Sequence, residues 1–359
     1  MLSFLSGIVA VELAFRWLLF GGGIAESLGR NLRHASYFAD SASDDDFWKL
    51  FVELDRLQEP MSDASYHPEL GWVSADLDSA TLRHAGAAAL QGRRPVLLYG
   101  DSYARCMGER EDCFEGLLGR SDLGHRYLLL NHGVQGYGLD QTHLLIERTI
   151  DRYLSEKPVV VVALQVDDSI DRTILAIRGW PKPRLALRDG QLVPEFEPVP
   201  RMDVYLRENP VTFPSYAWRY LQFGGDLVPL GWRSRIRDEP GIRVRKQAIS
   251  RKILEAIHAG LERRGVEHFF LLFYGQSYVD GSQALDWRED SLRAFFRERS
   301  VPFTSARRAI LEDAAKSGRP IADYYSQNDD LRRGHFRPEG NRAAFQALRD
   351  GIEGRFDPP

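Results

Sequence analysis

From Pro95 onward the chain alternates short, continuous apolar runs with longer amphipathic stretches, and this alternation constrains the fold more than anything else in its 359 residues. The runs Pro95–Tyr99 (PVLLY), Tyr127–Leu130 (YLLL), Pro158–Leu164 (PVVVVAL), His268–Phe273 (HFFLLF) and Val301–Thr304 (VPFT) predict strands. Unbroken apolarity suits strands covered on both faces. The stretches near 140–156, 243–264, 286–299, 305–316 and 339–353 predict helices. Together they predict an α/β chain, a three-layer α/β/α sandwich around a mostly parallel five-stranded sheet. In such sheets ligands bind beyond the carboxyl ends of the strands, so functional residues are expected just after each run.

Composition removes several classes. With 47 Lys and Arg against 51 Asp and Glu, the net charge of -4 supplies no basic field for a phosphate backbone, and no nucleic-acid partner is expected. Two cysteines, Cys106 and Cys113, cannot build a four-ligand zinc site; no metal ligand and no cofactor are expected. Seven positions apart, the two cysteines leave two readings open: a disulfide closing a small loop in an oxidising compartment, or two reduced thiols.

Residues 2–24 form an apolar run long enough for a bilayer, interrupted by Glu12 and Arg16. Each charge near a bilayer centre costs roughly 2.5–3.5 kcal/mol, although an i,i+4 pair partly neutralises itself. Arg16, Arg30 and Arg33 fall within or after the run and no Lys or Arg precedes it, an asymmetry that opposes an anchor with its body outside the cytoplasm. Membrane association through residues 2–24 and an apolar helix packed on the domain are the two readings. Residues 1–40 are read as this helix and its linker, and 41–359 as one catalytic-type domain. The polar stretch Asp40–Asp46 reads as linker, and Phe47–Leu57 as a helix on its apolar spacing.

An insertion at about 172–240 breaks the alternation. Asp189-Gly190 between two short apolar runs predicts a hairpin, and seven prolines from Pro181 to Pro214 add loop character. Such an insertion shapes a cleft or decorates the fold. The basic run Arg233, Arg235, Arg237, Arg243, Arg245 and Lys246 reads as a solvated face, with an anionic polysaccharide or lipid headgroup as the functional alternative.

Gly100-Asp101-Ser102 follows the first run directly, placing Ser102 at a strand-to-helix turn where a hydroxyl projects from the sheet edge. Serine needs a base, and His335, just before the last expected helix, is positioned to reach that edge. Asn131–Gly138 (NHGVQGYG) follows the second run, and its glycines allow close backbone approach to a developing oxyanion. His132 and His143 beside it read as packing or surface residues.

These blocks, in this order, resemble the SGNH, or GDSL-like, hydrolase superfamily. YGDSYARCMG resembles its nucleophile block, NHGVQGYGLDQ its glycine block, VVVVALQVDD the strand leading to its third block, and GHFRPEGNRAAF its histidine block; YHPELGWV (Tyr66–Val73) is similar to a segment of bacterial members with an N-terminal apolar helix. The resemblance covers about residues 60–356 and implies the flavodoxin-like SGNH fold. It implies Ser102 as nucleophile, His335 as base, and the backbone N–H groups of Ser102 and Gly136 as oxyanion donors.

Two positions depart from the pattern. Asp167 stands where the family places an asparagine that donates to the oxyanion; only a protonated Asp167 could donate there, as burial favours. Arg332 and Arg333 stand where the family places the acid that orients the histidine, leaving Asp329, Asp330 or a backbone carbonyl for that role. The expected function is a serine esterase or deacylase acting on an acylated carbohydrate or other ester, extracytoplasmic or membrane-associated. Two alternatives stay open: a catalytically impaired relative that binds polysaccharide or serves its assembly, and an O-acyltransferase.

Overall fold

The computed structural model describes residues 2–54, 64–223, 239–327 and 334–358. Its central sheet has five strands, all parallel: β1 (Arg94–Gly100), β2 (Tyr127–Gly133), β3 (Val159–Gln165), β4 (Glu267–Phe273) and β5 (Phe303–Ser305). Their spatial order is β2-β1-β3-β4-β5. That is the doubly wound order whose direction reverses at β1, where a crevice opens at the carboxyl edge. The expected α/β/α sandwich with a five-stranded sheet is therefore the observed one.

The strands form where the apolar runs placed them. Val159–Val162 is an unbroken β-branched segment at the middle of the sheet, fully buried, as a strand covered on both faces requires. The main differences are at ends. The second strand runs through Asn131, His132 and Gly133, so the first three residues of the glycine block are strand rather than loop. The last is Phe303–Ser305 rather than 301–304.

The principal helices are α1 (Leu2–Phe20), α2 (Ile24–Gly29), α3 (Asp45–Leu54), α4 (Ser102–Arg105), α5 (Phe114–Arg120), α6 (Leu139–Thr149), α7 (Tyr216–Phe223), α8 (Glu239–Arg263), α9 (Trp287–Arg299), α10 (Ala306–Ser317) and α11 (Pro338–Ile352). Helices α6, α8 and α9 cover one face of the sheet; α5, α10 and α11 cover the other. Their starts follow local chemistry. Asp286 and Ser305 accept backbone N–H groups at the heads of α9 and α10, and Pro338 opens α11 where a missing N–H costs nothing.

Asp189 and Gly190 take φ values of 50° and 77°, the left-handed pair a tight hairpin turn needs, and join Leu185–Arg188 to Gln191–Pro194 in antiparallel register. Asp40–Asp46 is not a loose linker. Asp46 is buried, bonds Lys49 at 2.8 Å and accepts from the backbone N–H and hydroxyl of Thr212 in the insertion. Lys246 is likewise not on a solvated face: it is buried against Asp171 at 2.7 Å, while Arg243 and Arg245 are exposed. Arg233, Arg235 and Arg237 lie outside the described residues.

Helix α1 packs on α7 through the two charges that interrupt its apolar run. The Glu12 carboxylate accepts from Ser215 Oγ and from the backbone N–H of Tyr216 and Ala217, capping α7, while Arg16 donates to the Pro214 carbonyl and lies over the Tyr216 ring. Arg33 donates to the carbonyls of Leu18 and Gly21 and so closes the carboxyl end of α1. No single helix among the described residues is long and apolar enough to cross a membrane; Ser6–Phe20 and Ile24–Leu32 pass that test together, bent by 97°.

Helix α11 meets the sheet at Gly351, where a Cβ would stand 2.2 Å from Cε2 of Phe269. Gly351→Ala is expected to lower unfolding stability by about 1–3 kcal/mol despite alanine's better helix propensity, as read from urea denaturation midpoints.

Candidate active site

The carboxyl ends of β1, β2 and β3 bring three sequence blocks to one edge. Tyr99 pairs with His132 and with Val162, so Ser102, Gly136 and Asp167 all emerge beyond the same rim of adjacent strands. Ser102 opens α4, capped by Asp101, whose carboxylate accepts from the Tyr103 N–H at 3.0 Å. From the far end of the chain, His335 reaches the same rim: its Nε2 lies 2.8 Å from Ser102 Oγ. With Nε2 accepting that bond, the ring's proton sits on Nδ1.

Backbone and aromatic contacts fix His335. The Ser326 N–H donates to the His335 carbonyl, the Gly334 N–H donates to the Ser326 carbonyl, and the Tyr103 hydroxyl donates to the Gly334 carbonyl at 2.7 Å. The Tyr103 ring also lies 5.2 Å from the imidazole, centroid to centroid. Tyr103 thus spans α4 and the loop that carries His335. Asp329, Asp330, Arg332 and Arg333 lie outside the described residues.

Gly133 explains how β2 comes so close to α4. A Cβ there would sit 2.5 Å from the Arg105 backbone nitrogen, so only glycine admits the approach. Asn131 ties the same junction, donating to the Ala104 carbonyl at 2.8 Å and accepting from the Gly133 N–H. The following loop is held from outside by the upstream segment: Trp72 Nε1 donates to the Gln135 carbonyl at 3.0 Å, and Tyr137 donates its hydroxyl to the Trp72 carbonyl. Among the described residues the backbone N–H groups of Ser102 and Gly136 have no acceptor. Cys106 and Cys113 are joined as a disulfide in the loop after α4, and Asn341 of α11 donates to Cys106 Sγ.

Sequence reasoning missed Arg172. Its guanidinium is buried, donating to Asp101 Oδ2 at 3.1 Å, to the Tyr137 carbonyl at 2.7 Å and to the Asp168 carboxylate. Arg178 binds Asp168 through two further bonds of 3.1 Å and lies over the Trp48 ring. The Asp168–Arg172 spacing of four was the only signal in the sequence. His132 is a packing residue, buried and stacked on Tyr99; burial and the neighbouring His84 hold it neutral, its pKa pushed down to about 3. His143 also sits in a desolvated position that lowers its pKa.

Asp167 and Asp168 are adjacent carboxylates with opposite behaviour. Burial opposes ionisation of Asp168, but Arg172 and Arg178 outweigh it and hold its carboxyl well below the usual range. Asp167 makes no ion pair among the described residues; burial, reinforced by the charge of Asp168, pushes it up to about 6 against hydrogen bonds from backbone N–H groups that include Gly275. Its Oδ1 is buried and has no hydrogen-bond partner among the described residues.

No protein-family model and no curated protein matches the chain. Solved structures do: the acetyl xylan esterase AlAXEase at 15% identity, covering 72% of this chain and 99% of that one with a TM-score of 0.40; a variant of Axe2, an acetylxylan esterase from Geobacillus stearothermophilus, at 15%, 72%, 94% and 0.35; and TesA at 12%, 73%, 99% and 0.39.

The raised pKa of Asp167 has a definite sign for stability. The folded chain holds that proton more tightly than the unfolded chain, so the contribution is complete below the ordinary value of 3.8 and is lost as pH rises through about 6. Between pH 4 and pH 7.5 the wild type should lose up to about 3 kcal/mol relative to Asp167→Asn in urea titrations, and a difference independent of pH would contradict the assignment.

Proposed function

We propose that the chain is a serine esterase acting on acylated carbohydrate, with Ser102 as nucleophile and His335 as general base. The observation that carries this reading is the 2.8 Å contact between Ser102 Oγ and His335 Nε2 at the carboxyl edge of the sheet. Ser102 Oγ attacks the acyl carbonyl carbon while its proton passes to Nε2. The resulting oxyanion is met by the N–H groups of Ser102 and Gly136. Collapse breaks the bond to the alcohol, which takes the proton back from Nε2 and leaves an acyl-serine. Water, deprotonated by the same nitrogen, then releases the acid. The carbohydrate class rests on the resemblance of the four blocks and of Tyr66–Val73 to bacterial SGNH proteins.

Asp167 favours a second reading, in which the fold binds polysaccharide without turnover. An ionised carboxylate beside the oxyanion repels it; a protonated one donates to it. Hydrolysis of p-nitrophenyl acetate separates the two readings. Ser102→Ala should cut the rate at least about a thousandfold, and a rate equal to wild type's would leave only the binding role. Asp167→Asn should be close to wild type at pH 5.5 and faster by about a hundredfold at pH 8, where the native carboxyl is ionised.

The esterase is further proposed to work at a membrane surface on the extracytoplasmic side. The outward face of α1 and α2 exposes Ile8, Val9, Val11, Leu13, Ile24 and Leu28. Trp218 of α7, 61% exposed, lies on the helix that α1 packs against. Exposed apolar area on this scale marks an interaction surface, and the Cys106–Cys113 disulfide supports an oxidising compartment. The full chain should co-float with phosphatidylglycerol–phosphatidylethanolamine vesicles, and Trp218→Asp should reduce the bound fraction severalfold; a chain that stays in the soluble fraction would refute the surface.

A further inference from the structure

At the end of the sheet opposite Ser102, two histidines and a glutamate converge. His258 and Glu262 are one turn apart on α8, and His268 stands at the start of β4, across the short turn that joins them. His258 Nδ1 lies 2.9 Å from His268 Nε2, and the donor atoms of all three residues lie within 4.8 Å of one another. His268 is only 6% exposed, whereas Glu262 is open to solvent.

The hydrogen bonds define what these rings present. His268 Nδ1 lies 2.9 Å from the Val266 carbonyl, an atom that only accepts, so Nδ1 carries the proton and Nε2 presents its lone pair to His258. A ring nitrogen fixed by a carbonyl on its far side is the usual support of a metal-binding histidine. In the absence of an ion, His258 Nδ1–H donates to that lone pair. Moving the His258 proton to its other nitrogen leaves two lone pairs facing each other, so that a tilt of the rings lets both meet one ion, with Glu262 Oε1 3.9 Å from Nδ1 of the same His268 ring.

We propose that His258 Nδ1, His268 Nε2 and the Glu262 carboxylate form a binding site for one divalent transition-metal ion of the zinc class, clamping the carboxyl end of α8 to the start of β4. Two imidazoles select such ions over calcium and magnesium, which take oxygen ligands. Tetrahedral bonds of about 2.05 Å place the two nitrogens about 3.3 Å apart, so the rings separate by about 0.4 Å on binding. His258, on a half-buried ring edged by Phe295, can supply that movement. The nearby cation Arg299 is engaged with Glu255 at 2.9 Å.

The test is calorimetric titration of zinc chloride into the full, untagged chain after chelator treatment, with thermal unfolding in parallel. Wild type should bind one zinc per chain at micromolar concentration or tighter, with Tm rising by a few degrees in 100 µM zinc. His258→Ala should abolish both effects and Glu262→Gln should weaken binding about tenfold, with each variant's cooperative unfolding in chelator showing that it is folded. His335→Ala should bind as wild type does, which separates this site from the esterase edge. No heat from wild type, equal binding by His258→Ala, or calcium binding as tight as zinc would each overturn the proposal.

Discussion

The buried guanidinium of Arg172 is the interaction on which the candidate site depends. It holds Asp101, which immediately precedes Ser102, the carbonyl of Tyr137 in the glycine loop, and Asp168, which follows β3. Each of those anchors belongs to a different strand end. A charge so buried persists only when paired and hydrogen-bonded, and removal of such a partner typically costs several kcal/mol because the carboxylates are left without compensation. One side chain thereby sets the relative placement of the Ser102 hydroxyl and the Gly136 N–H. Because it comes from the insertion, that segment is part of the site's frame and not an ornament on it.

The same rule governs the N-terminal helix. Glu12 and Arg16 look like defects in an apolar run, yet they face α7, where one caps the helix and the other bonds its preceding carbonyl. With Glu12 partly buried against α7 and Arg16 laid along it, the remaining faces of α1 are left almost wholly apolar. The position of two ionisable groups thus separates the side of the helix that meets protein from the side that does not.

The sheet was largely legible because its strands are covered on both faces, so that burial appears directly as unbroken runs such as Val159–Val162. The hairpin at Asp189-Gly190 was legible for a different reason, since few residue pairs take the required backbone angles. Ser102 and His335 could be picked out through the order of the blocks around them, and their contact was a tertiary fact that neither block contains. What local pattern could not show is which charges are buried. Lys246 sits among arginines that face solvent, and only the proximity of Asp171, seventy-five positions away, takes it inside. Asp46 was hidden in an acidic stretch for the same reason, its partners being Lys49 on the next turn and Thr212 in a distant segment. The divergent behaviour of Asp167 and Asp168 likewise depends on where two arginines end up.

The covalent link between Cys106 and Cys113 gives the site a history as well as a shape. It closes the loop that leaves α4, and α11 touches it through Asn341. With the two cysteines reduced, the loop would keep the freedom that the bond removes. Reduced and oxidised copies would then differ in how firmly Ser102 is seated, and the step between them is a two-electron oxidation.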